Sequence, residues 1–141
     1  MRHSLHVGCV AGLALCCALA GCKDSTSPAP IDPVGSWSGT TSQGRALSFT
    51  ITARGLASAS LDWRLTGTAC SYNATATLSS SSPTPVTQTS FTATYPLSGS
   101  FGADFTISGT FTSSTAAHGT LLIADVSCGG TLNATWTATK P

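Results

Sequence analysis

From Val34 onward the chain alternates apolar and hydroxylated residues almost one for one, and a period of two admits half-buried antiparallel strands and little else. Leu47, Phe49 and Ile51 alternate with Ser48, Thr50 and Thr52, and Leu61, Trp63 and Leu65 with Asp62, Arg64 and Thr66. The same phase runs through Cys70, Tyr72, Ala74, Ala76 and Leu78, then through Phe91, Ala93 and Tyr95. It continues in Phe105, Ile107, Gly109 and Phe111, in Leu121 and Ile123, and in Leu132, Ala134, Trp136 and Ala138. With a first strand at Ser36 to Thr41, this makes about eight short, evenly spaced strands. No stretch carries a helix-period stripe.

The expected fold is therefore all-β: a single antiparallel meander closed into a small up-and-down barrel or a flattened β-sandwich. Ser79 to Pro85, SSSSPTP, reads as a flexible loop, and Ala103 with Asp104 as a bulge or the start of the sixth strand. Trp37, Trp63 and Trp136 fall on inward phases and are expected in the core. A barrel of eight strands has an interior just wide enough for side chains to fill.

Ahead of the strands lies a different sequence. Met1 to His6 supplies a short basic start, and Val7 to Ala20 is apolar but too short for a comfortable transmembrane span. It closes on Leu19-Ala20-Gly21-Cys22, which resembles the lipobox of a bacterial lipoprotein. The resemblance implies cleavage before Cys22 and lipidation of that cysteine, which would fasten the chain to a membrane through its N-terminal lipid. It divides the chain into a signal peptide at 1–21, a lipidated cysteine and flexible tether at 22–33, and an all-β domain at 34–141. The tether, KDSTSPAPIDP, could hold the domain up to roughly 30 Å from the headgroups. Lys23 follows the cysteine where, in some two-membrane bacteria, an aspartate retains lipoproteins in the inner membrane. The resemblance thus favours the outer membrane in a two-membrane host.

On that reading Cys9, Cys16 and Cys17 leave with the signal peptide and Cys22 carries lipid, so Cys70 and Cys128 remain. Two thiols in an exported, oxidising compartment are expected to form one disulfide. Their Asn-Ala-Thr sequels, Asn73-Ala74-Thr75 and Asn133-Ala134-Thr135, suggest a bridge between the starts of two strands. Five cations (Lys23, Arg45, Arg54, Arg64, Lys140) then balance five aspartates (Asp24, Asp32, Asp62, Asp104, Asp125), and glutamate is absent. Such a balance excludes the basic footprint of a nucleic-acid binder.

Gly35-Ser36-Trp37 is similar to the Gly-x-Trp that opens the first strand of lipocalins and of shorter lipocalin-like barrels. That resemblance implies a small meander barrel with the tryptophan plugging one end. Trp-Ser-Gly-Thr, Ser-Gly-Thr-Phe and the closing Trp-Thr-Ala-Thr look similar to many small bacterial lipoproteins, a likeness that implies no activity.

Chemistry has few candidates. His118 is the one imidazole after Cys22; with a serine and Asp104 or Asp125 it could form a triad, but no Gly-x-Ser-x-Gly elbow accompanies it. In Ala116-Ala117-His118-Gly119 it reads as an exposed turn residue. Asp62 and Arg64 share an outward face as a solvated pair. The aspartates at 62, 104 and 125 are too scattered for paired-acid chemistry or a calcium loop, and Gly129-Gly130 is a turn without the Gly-Lys-Ser of a phosphate cradle. No catalytic, cofactor or metal residue is expected.

The expected function is that of a non-catalytic, lipid-anchored envelope module, binding or structural, extracytoplasmic in location. A lipocalin-like carrier would instead need an internal cavity lined by Phe49, Trp63, Phe91 and Phe105. A small cell-wall hydrolase would need His118 in a cleft beside its partners.

Overall fold

A computed structural model describes residues 29–96, 103–125 and 127–141, so the expected signal peptide, Cys22 and the first part of the expected tether lie outside the described residues. Eight strands follow in chain order: β1 Gly35–Thr41, β2 Ala46–Thr52, β3 Gly55–Thr66, β4 Ser71–Thr84, β5 Ser90–Pro96, β6 Ala103–Phe111, β7 Ala116–Asp125 and β8 Gly130–Thr139. All pair antiparallel in one sheet of order β4-β3-β2-β1-β8-β7-β6-β5. Because β1 pairs with β8, the ends of the meander meet and the sheet curls into a nearly closed barrel.

The seam falls between β4 and β5, which are consecutive in the chain but absent from each other's ladder. There the hydroxyls of Thr84 and Tyr95 lie 3.1 Å apart. The reason is local. β4 follows β3 in register from Ser71 to Ser79, then bulges, and rejoins only where Thr84 opposes Leu56. Ser79 to Thr84, expected as loop, is thus strand: the Ser82 amide donates to its neighbour Ser80 Oγ at 3.1 Å, so the serines satisfy their own bulge.

Alternation sends one face inward everywhere. Trp37, Phe49, Phe91, Phe111 and Trp136 form a continuous cluster of rings with centroids 5.2–6.3 Å apart. Phe49 sits at its middle, stacked on Trp37 at 5.8 Å and meeting Trp136 edge-on at 5.5 Å. Leu47, Leu61, Leu65, Phe105, Ile107 and Ile123 complete the core and are buried.

Room for two of these rings comes from missing side chains. Phe91, Gly109, Gly119 and Trp136 stand opposite one another across β5, β6, β7 and β8. A Cβ on Gly109 would come within 2.3 Å of Phe91, and one on Gly119 within 2.5 Å of Trp136 and 1.9 Å of the Ser108 carbonyl. The rings therefore lie over bare backbone. Gly119, expected to mark a turn, is a packing residue, while Thr112 to Thr115 make the β6–β7 turn, closed by Thr112 N–H to the Ala116 carbonyl at 2.9 Å.

Gly119→Ala should destabilise the domain by about 2 kcal/mol through overpacking, and Phe49→Ala by about 3–5 kcal/mol through the cavity it leaves. Urea denaturation followed by tryptophan fluorescence measures both. A Gly119→Ala protein as stable as the parent would contradict this packing.

Candidate functional site

The strands run alternately up and down, so the barrel has two distinct ends. The β1–β2, β3–β4 and β7–β8 turns gather at one, here the distal end; the described segment before β1, the C-terminus, the β2–β3 and β6–β7 turns and the β4–β5 connection gather at the other, the proximal end.

At the distal end β1 and β2 stop short, and the longer β3–β4 and β7–β8 hairpins lean together above them. Cys70 and Cys128 are disulfide-bonded there, with Cα atoms 5.3 Å apart. Backbone bonds reinforce the contact: Ala69 N–H donates to the Cys128 carbonyl at 3.1 Å, and Gly67 approaches so closely that a Cβ on Gly130 would meet its Cα at 2.8 Å. The β1–β2 turn fills the notch below. Gln43 Nε2 donates to the Arg64 carbonyl at 2.8 Å while the Arg64 amide donates to Gln43 Oε1 at 3.0 Å. A side-chain amide thereby continues the ladder one step past the end of the strand.

Beneath the disulfide lies a polar pair that the sequence reading missed. Asp125, only 2% exposed, accepts a short hydrogen bond from the Tyr72 hydroxyl through Oδ2. Through Oδ1 it accepts from Ser127 Oγ at 2.7 Å and from the Cys128 amide at 3.0 Å. These donors hold the Asp125 carboxyl below its ordinary range, the Tyr72 hydroxyl foremost. Burial, and then the carboxylate beside it, push Tyr72 up to about 12. Parity was the available signal, because Asp125 continues the inward phase of Leu121 and Ile123. The arrangement orders the β7–β8 turn that carries Cys128. One step below Leu65, Trp63 meets Tyr72 edge-on at 5.2 Å, and its buried Nε1 has no partner among the described residues.

His118 is not in a turn. It lies within β7, exposed on the outer wall between Thr110 and Thr137. An open groove of about 500 Å³ runs past it, walled by Thr92, Ser108, Thr120 and Thr135 and floored by the two glycines. Asp125 is seven residues farther along the same strand, about 23 Å away at 3.3 Å per residue, and points inward rather than outward. Asp104 opposes Ala124 near that same distant end. The histidine and the aspartates of the envisaged triad are therefore not brought together.

Of the other residues singled out, Trp37, Trp63 and Trp136 are all buried, as expected. Phe49, Trp63, Phe91 and Phe105, the four envisaged around a cavity, are each 4% exposed or less, and Phe49 and Phe91 are in ring contact at 5.6 Å. Asp62 accepts from Thr75 Oγ1 at 2.7 Å, and the Gly129 turn, with φ +63°, packs against Thr68. Among the described residues no group of three metal-ligating side chains occurs.

Compared with family models, curated proteins and solved structures, the chain gives no match.

Three outcomes follow for stability. Tyr72 keeps its proton in the folded state above the range where the unfolded chain loses it, near pH 10, so stability should fall between about pH 10 and 12; Tyr72→Phe should flatten that limb of a pH–denaturation series. Asp125 has the opposite sign: its contribution is present above the unfolded carboxyl range and is lost as pH falls through its lower folded value. Reducing the disulfide, whose cysteines are 58 positions apart, should cost about 4 kcal/mol in the chain-entropy model, read as a shift in urea midpoint.

Proposed function

We propose that this chain is a lipid-anchored module of the bacterial envelope, exported from the cytoplasm and held to a membrane through lipid on Cys22. Its domain acts without catalysis, as a binding or structural element. In a two-membrane host its place is the outer membrane, since Lys23 rather than an aspartate follows the cysteine.

The observation that carries the reading is the Cys70–Cys128 bond. Disulfides persist in exported proteins and are rare in the cytosol, so the bond agrees with the address that Leu19-Ala20-Gly21-Cys22 supplies independently. Stable attachment takes two or more acyl chains, which lipidated N-terminal cysteines carry. The outer wall suits such a location: it is a neutral array of threonine and serine hydroxyls, several of which pair across strands, as Thr92 with Ser108 at 3.2 Å and Thr94 with Thr106 at 3.0 Å. A carrier with its ligand inside the barrel is disfavoured by rings that already touch one another there.

Mass spectrometry of the protein extracted from membranes tests this directly. The expected species begins at Cys22 and bears a diacylglycerol thioether, and Cys22→Ser should shift the protein to the soluble fraction. A species with its leader intact, or with an unmodified Cys22 thiol, would end the proposal.

A further inference from the structure

The proximal end is fastened differently from the rest of the barrel. Ile31 packs partly buried against the core, the Asp32 amide donates to Ser114 Oγ at 3.3 Å, and the Trp37 indole donates to the Pro33 carbonyl at 2.9 Å. Lys140, from the other terminus, lies across Gly35, where a Cβ would meet its Cδ at 2.7 Å. Its Nζ donates to the Asp32 and Val34 carbonyls at 2.9 and 2.8 Å and stands 5.6 Å from the Trp37 ring. The segment before β1 is thus clasped to the barrel rather than free. Only the residues between Cys22 and Ile31 remain as a tether, about 25 Å if extended.

Beside this clasp the barrel rim exposes apolar surface. Val34 is 43% exposed, and Pro33, Ala53, Pro85 and Val86 adjoin it around an open groove of about 390 Å³ that also includes Arg54. Among the described residues the other large apolar side chain exposed to this degree, Leu122 at 40%, stands opposite Thr106 and Asn133 on the wall, away from this groove. Charge follows the same polarity. Arg54 and Lys140 outnumber Asp32 at the proximal end, whereas in the distal half Asp62, Asp104 and Asp125 outnumber Arg45 and Arg64.

We propose that the rim of Val34, Ala53, Arg54 and Pro85 seats the barrel on the anionic headgroups of the membrane, fixing the disulfide-bonded end outward. The inference rests on the lipid-anchor reading above, which brings this end to the bilayer. A lipid surface fits what is exposed: apolar side chains that enter the interface, with Arg54 among them and Lys140 close by to attract anionic headgroups. The short tether keeps that surface within reach, and the clasp sets the angle at which it arrives.

The test uses the chain from Cys22 onward, coupled through that thiol to a maleimide lipid in phosphatidylglycerol-containing nanodiscs that also hold a gadolinium-chelate lipid. Amide relaxation enhancement is then read residue by residue. Arg54 and Val86 should relax several-fold faster than Ser113, which shares the proximal end but not the patch, and Thr68 at the distal end should be least affected. Val34→Asp with Arg54→Glu, both exposed positions, should bring the amides of position 54 and Val86 down to the level of Ser113 without changing the urea midpoint. Equal enhancement at Arg54 and Ser113 in the parent chain, or an unchanged bias in the double variant, would overturn the seating. Because the lipid is attached chemically, this result is independent of whether cells modify Cys22; an unmodified native cysteine would strike the anchor reading alone.

Discussion

Everything else in this domain is arranged around the contact of Phe49 with the rings of Trp37, Phe91 and Trp136. A barrel of eight short strands must fill its interior, and this chain does so with large aromatic side chains placed where neighbouring strands give up theirs. Gly109 and Gly119 are the complement of Phe91 and Trp136, and neither pair is intelligible without the other. Once the inner face is committed to rings, the period of two leaves serine and threonine to face water, and the wall acquires its neutral, hydroxylated character without any further requirement.

The two ends solve the problem of closing such a barrel by different chemistry. The distal end uses covalent and charge-assisted bonds: the disulfide spans two hairpin tips, and the buried Asp125 carboxylate orders the turn that delivers Cys128. The proximal end uses a strap, in which the segment before β1 is held by a lysine from the C-terminal end. The seam between β4 and β5 is tolerated because both ends are fastened, and because Thr84 and Tyr95 meet across it.

Much of this could be read from the sequence, and the exceptions have identifiable causes. Alternation located the eight strands, the inward tryptophans and the antiparallel meander, because burial on one face is written directly into residue type. Cys70 and Cys128 are legible as a pair once the lipobox resemblance accounts for the other four cysteines. Ser79 to Thr84 was not, since a serine run satisfies a bulge as well as it does a loop, and composition does not distinguish them. Gly119 is ambiguous for a related reason: a glycine that makes room for Trp136 looks the same in sequence as one that makes a turn, which places His118 in a hairpin that in fact lies a few residues earlier. The Tyr72–Asp125 pair was readable by parity, but an acid on an inward phase is easily mistaken for the end of a strand. The position of the seam had no sequence signal at all, being set by where β4 leaves β3. Cys22 lies outside the described residues, and its proposed lipidation rests on the motif that it closes.

A filled interior moves the search for function to the surface: the rim that faces the tether, the hydroxylated wall, and the cross-linked far end. Its most direct test is a titration of the folded domain with palmitate, following the ring resonances of Phe49 and Phe105 by NMR. The account requires that neither ring responds. Saturable, one-to-one shifts at both would mean that the barrel opens around an apolar guest, and the solid core described here would be wrong.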